Sequence, residues 1–145
     1  MRYDPRLLEL TNYPHVRVLD LMFSDMDIQQ HVNNVAITRL FEEARSSLHR
    51  LAVQDEPGTF TSIVLARLEV HYLREITYPG QVEIAIGMGP SGRSSFDNVA
   101  ALFQDGECAA LMWATHARRN EDRCAGQDLS ETERKVVERY RVPGS

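Results

Sequence analysis

The apolar positions change period twice along the chain. From His15 onward, Val16 and Val18 fall on one face and Arg17, Leu19, Leu21 and Phe23 on the other. This alternation predicts a strand over about 16–23. After the polar stretch Ser24 to Asn34, the residues Val35, Ile37, Leu40, Phe41, Ala44, Leu48 and Leu51 recur at helical spacing. Asn33 or Asn34 is placed to cap that helix, and Pro57-Gly58 closes it. Period two then returns. Val64, Ala66, Leu68, Val70 and Tyr72 share one face, opposite Arg67, Glu69 and His71. Val82, Ile84, Ile86 and Met88 form the next strand, between turns at Tyr78-Pro79-Gly80 and Gly89-Pro90-Ser91-Gly92. Strands over 94–104 and 107–119 flank Asp105-Gly106, a two-residue hairpin signal. Ser130-Glu131-Thr132-Glu133 is a capping box and predicts a short helix to about Tyr140.

The order strand, long helix, four strands, short helix predicts a two-layer α+β fold with antiparallel pairing. Length fits one domain over 1–145, with an N-terminal arm or irregular lead-in over 1–14 and a C-terminal extension over 121–145. At 43% hydrophobic and 26% charged residues the chain is globular rather than disordered. Cys108 and Cys124 are too few for a four-cysteine zinc site, so no metal is expected. The net charge of -5 argues against nucleic acid. No apolar run reaches the roughly 18 residues of a membrane span. The N-terminus shows no secretory signal, so a cytoplasmic protein that does not bind membranes is expected.

Chemistry concentrates in Asp25-Met26-Asp27-Ile28-Gln29-Gln30-His31-Val32-Asn33-Asn34, where a strand passes into the longest helix. A helix N-terminus offers free amides and partial positive charge. An acid, an imidazole and such amides at one junction suit acyl transfer, with the carboxylate as base or nucleophile and the amides holding an oxyanion. Asp and Asn before a helix also serve as caps, and a histidine in a turn also serves as a simple hydrogen-bonding residue. Asp25 rivals Asp27 for the acid, because residues two apart share a face in an extended segment.

With Phe41-Glu42-Glu43-Ala44-Arg45 on the following helix, the junction resembles the hotdog-fold acyl thioesterases. It is similar to the 4-hydroxybenzoyl-CoA thioesterase-like branch and to plant acyl-ACP thioesterases. The segments 70–76, 78–83 and 92–96 extend the resemblance over about 15–120. It implies a single hotdog domain, a five- to six-stranded antiparallel sheet wrapped around one long helix. It also implies homodimers or homotetramers with active sites at the subunit interface. The position matching Asp27 attacks the thioester or activates water, and the amide matching Asn34 polarises the carbonyl. His31 and Gln29 match further catalytic and positioning residues of the plant enzymes. Gln29 is one methylene longer than the Asn of that pattern, Gln30 replaces a common Gly, and Ile37 stands where Tyr is frequent.

The resulting expectation is an acyl-CoA thioesterase without a cofactor. Asp27, His31 and Asn34 are the catalytic candidates, and Gln29, Asn33, Val35, Arg93, Ser94 and Ser95 the substrate-binding ones. The alternatives are an acyl-ACP thioesterase and a non-catalytic module that binds or senses acyl thioesters. Arg45 is expected to pair with Glu42 or a neighbouring acid. Cys108 is expected to pack rather than react.

Overall fold

The computed structural model describes residues 2–145. Its elements run β1 (His15–Asp20), α1 (Asn34–Asp55), β2 (Ile63–Tyr72), β3 (Gln81–Ser91), β4 (Ser95–Gln104), β5 (Glu107–Arg118) and α2 (Glu131–Arg139). The five strands form one antiparallel sheet in the order β1-β3-β4-β5-β2, so β1 and β2 are its edges. This is the expected hotdog arrangement, α+β with one long helix against the sheet and a short C-terminal helix.

α1 packs on the sheet because its apolar residues fall on one stripe. Ile37, Leu40, Phe41, Ala44, Leu48 and Ala52 are buried against Ile84 and Ile86 of β3, Leu102 of β4 and Met112 of β5. Truncating one large side chain here, such as Leu48→Ala, costs about 2–5 kcal/mol. The opposite sheet face is also covered. Leu7 and Tyr13 of the N-terminal segment and Val142 of the tail bury Ala85, Val99, Ala101, Phe103 and Leu111. That second cover explains why β4 is buried through consecutive residues rather than alternate ones. Gly87 lies where the tail crosses, and a Cβ there would stand 2.5 Å from Val142 Cγ2 and 2.7 Å from the Tyr140 carbonyl.

Four local expectations need correction. β1 stops at Asp20 because its partner β3 begins at Gln81, and Phe23–Asp25 instead form a 3-10 turn. β3 runs through Gly89-Pro90 to Ser91, with a register shift between Met88 and Ser91 that accommodates a proline lacking an N–H. β2 shifts register between Leu65 and Arg67, which splits the expected apolar face and leaves Leu65, Leu68 and Tyr72 exposed on this edge strand. The N-terminal arm is not irregular throughout, because Pro5–Leu8 and Leu10–Asn12 are 3-10 turns that seat Leu7. The hairpin at Asp105-Gly106 has positive φ at both residues (53° and 80°), as a type I′ turn requires. Among the described residues no helix is long and apolar enough to cross a membrane.

Candidate active site

Between β1 and α1 the chain makes a small loop held at its base by one buried acid. Asp25 is only 4% exposed. Its Oδ2 accepts from the Met22 amide at 2.8 Å and its Oδ1 from Arg39 Nη2 on α1 at 2.9 Å. Its carbonyl accepts from both the amide and the side-chain Nδ2 of Asn33, each at 2.9 Å. Asn33 Oδ1 in turn accepts from the Ala36 amide at 2.7 Å and caps α1. Both carboxylate oxygens of Asp25 are thereby occupied in holding the loop.

The loop then closes on itself. The Asp27 amide donates to the His31 carbonyl at 2.8 Å, and the Gln30 amide to the Asp27 carbonyl at 3.1 Å. Asp27 Oδ1 accepts from the amides of Gln29 at 2.8 Å and His31 at 3.2 Å, which orients the carboxylate. Its Oδ2 meets no donor among the described residues, and the side chain is exposed. Closing so short a loop sets Gln30 at φ 65°. Glycine adopts this region freely, which accounts for the glycine common at this position in the resembled pattern.

The His31 ring makes no hydrogen bond to the Asp27 carboxylate among the described residues. Its Nε2 lies 3.2 Å from Glu75 Oε2, on the segment that follows β2. The backbone is fastened to the same segment by a bridge between His31 and Thr77 and by the Val32 amide donating to the Ile76 carbonyl at 3.0 Å. Asp27, His31, Asn34 and Ile37 thus face Tyr72 to Ile76 across an open cleft of about 440 Å³. The Asn34 and Val35 amides begin α1 and have no intrahelical acceptor, so they are available to a ligand oxygen.

A family model described as the thioesterase-like superfamily matches residues 21–131, the span from this loop into α2. The chain belongs to the thioesterase-like superfamily. Solved structures agree in fold. A thioesterase from Thermus thermophilus complexed with coenzyme A and zinc is 28% identical over 86% of this chain and 98% of its own, with a TM-score of 0.73. A predicted thioesterase from Bacillus stearothermophilus is 22% identical over 86% of this chain and 94% of its own, at TM-score 0.76. A protein from Pseudomonas aeruginosa is 20% identical over 95% and 98%, at 0.79. No curated protein matches the sequence.

In this thioesterase-like chain the remaining candidates fall in three places. Asn33 and Val35 line an adjacent depression with Met22 and Arg39, reached from the other side of Asn34. Gln29 is exposed, and its amide orients Asp27. Arg93, Ser94 and Ser95 are not brought to Asp27 within one chain. They lie at the β3–β4 turn and the start of β4, where the Ser94 carbonyl accepts from the Arg118 amide at 2.7 Å, Ser95 pairs with Ala117, and Arg93 Nε sits 3.3 Å from Asp128. This is the Ile63 end of β2, and the Asp27 cleft is at its Tyr72 end. Glu75 had no signal in the sequence beyond its place in a matching segment. Its role emerges only when the bridge to Thr77 carries it to His31. Burial pushes the Cys108 thiol up to about 11, which leaves it protonated and unreactive near neutrality.

Proposed function

We propose that this superfamily member is an acyl-CoA thioesterase that works as a homodimer. The observation that carries the reading is Asp27: a carboxylate held by two amides at one oxygen, open at the other, in the cleft where α1 begins. A thioester carbonyl seated there directs its oxygen to the Asn34 and Val35 amides, which stabilise the developing negative charge. Asp27 supplies the attack, directly or through a water whose proton it takes. When water attacks, collapse breaks the carbon–sulfur bond and releases the free acid and a thiolate. When Asp27 attacks, collapse releases the thiolate and leaves an acyl anhydride on Asp27, which water then hydrolyses to the free acid. A thiol of pKa about 8.5 leaves as thiolate without a strong acid. His31, held by Glu75, positions the cleft wall beside Asp27.

The dimer forms through β2. This ten-residue edge strand has unpaired backbone groups and exposed Leu65, Leu68 and Tyr72, a template for pairing with another strand. Antiparallel pairing of two copies about a two-fold axis sets the Ile63 end of one beside the Tyr72 end of the other. Arg93, Ser94 and Ser95 of one copy then flank the Asp27 cleft of the second. Arg93 is mostly exposed and its pairing with Asp128 is weak, so it is available to the phosphates of CoA. Release of free thiol from a panel of acyl-CoAs, read with a thiol reagent, tests the assignment. Saturable binding without thiol release would make the protein a binding module instead.

A further inference from the structure

A second cavity lies between the C-terminal half of α1 and the sheet. It holds about 180 Å³, with apolar walls from Leu48, Phe60, Met88 and Phe96. Its polar groups are unusual for such a place. Arg45 has a side chain only 10% exposed, and its Nη1 lies 3.3 Å from Nε2 of His116, itself 8% exposed. Because the guanidinium only donates, Nε2 accepts and the His116 proton sits on Nδ1. Burial, reinforced by the charges of Arg45 and His49, pushes His116 down to about 4, so the ring is neutral. Arg45 Nε and His116 Nδ1 are both buried donors with no partner. Asn98, 5% exposed, donates only to the Met88 sulfur at 3.2 Å. Glu42 pairs with Arg45 Nη2 from the exposed mouth. Two buried donors of the interior, Arg45 Nε and His116 Nδ1, therefore lack an acceptor even though Glu42 holds Arg45 at the mouth, a costly arrangement unless something fills it.

We infer that this cavity receives the far end of a short acyl group carrying a terminal carboxylate, with Arg45 and His116 as the residues that select it. This rests on the thioesterase reading and names its substrate class. Two carboxylate oxygens answer two unmet donors, and the apolar walls take the methylenes between. The volume limits the length, since a cavity of about 150 Å³ holds one benzene ring. Placement fits as well. The cavity includes Ile63, at the end of β2 opposite the Asp27 cleft. β2 is about 30 Å long at 3.3 Å per residue, too far for a short acyl group in one chain. The two-fold pairing across β2 turns the cavity of one copy toward the Asp27 of its partner.

The test compares succinyl-, glutaryl- and adipoyl-CoA with the monocarboxyl acyl-CoAs of equal carbon number. Wild type, Arg45→Met and His116→Phe are measured alongside binding of free glutarate and pentanoate, read from the His116 ring signals by NMR. The wild type is expected to show kcat/KM roughly 10- to 100-fold higher for at least one dicarboxyl substrate than for its monocarboxyl counterpart. Arg45→Met should collapse that ratio toward one while the monocarboxyl rate persists. His116→Phe keeps the packing on Phe96 and carries the same comparison if Arg45→Met fails to fold. Thiol release with no dicarboxyl preference at any length overturns the inference and leaves the thioesterase reading intact. If no thioester is hydrolysed, that reading fails. Selective movement of the His116 signals by glutarate then still supports the carboxylate pocket, and no movement overturns it.

Discussion

Arg39, on the second turn of α1, donates to the buried Oδ1 of Asp25 at 2.9 Å, two residues before the acid assigned to catalysis. The loop carrying Asp27 is therefore fastened to the helix whose amides face it. Removing the guanidinium leaves a buried carboxylate without its cation. Because Arg39 is itself partly exposed, water offsets part of that loss. Arg39→Met should cost about 1–3 kcal/mol in urea denaturation and lower the rate of thioester hydrolysis.

Asn33 does two jobs with one side chain, capping α1 through Oδ1 and gripping the Asp25 carbonyl through Nδ2. Asn33→Asp keeps the cap acceptor and loses the donor, whereas Asn33→Ala loses both. The alanine variant should lose about 1–2 kcal/mol, with aspartate in between, in thermal or chemical unfolding. Equal losses for the two would show that the Nδ2 grip on Asp25 alone matters, and no loss for aspartate that the cap alone does.

Gln30 sits at φ 65°. A non-glycine residue there costs about 1–2 kcal/mol, and glycine offsets about 0.5–1 kcal/mol of that gain through unfolded-state entropy. Gln30→Gly should therefore leave stability unchanged or raise it by about 0.5–1 kcal/mol, with the hydrolysis rate retained.

His116 makes stability depend on pH. Its folded value of about 4 lies below the ordinary 6.5, so between these values the unfolded chain binds a proton that the folded chain does not. Its contribution is complete above about pH 6.5 and is lost as pH falls toward 4, roughly 3 kcal/mol in all. His15 and His49, also lowered mainly by burial, act in the same direction. Chemical denaturation at pH 7 and pH 4.5 should show the drop, and His116→Phe should flatten it.

The helix, its cap region, the hairpin at Asp105-Gly106 and the capping box of α2 were legible in the sequence because each depends on neighbours a few residues apart. Asp27, His31 and Asn34 were legible as one cluster for the same reason, since a single short loop carries all three to one cleft. What escaped depends on distant pairing. Nothing local says that β1 loses its partner beyond Gln81, that Glu75 meets His31, or that Arg45 reaches His116 across 71 residues. The position of Arg93, Ser94 and Ser95 at the far end of β2 is a property of strand order, which the hydrophobic pattern does not encode.

The central claim is that the open carboxylate of Asp27 drives thioester cleavage. The most direct measurement is steady-state thiol release by wild type and Asp27→Asn, with folding of the variant checked by circular dichroism. Asparagine keeps the side-chain oxygen that accepts from the Gln29 and His31 amides, so the loop should hold. The account predicts a fall in kcat of about 10²–10⁴-fold. Turnover equal to wild type in a folded Asp27→Asn variant would contradict it.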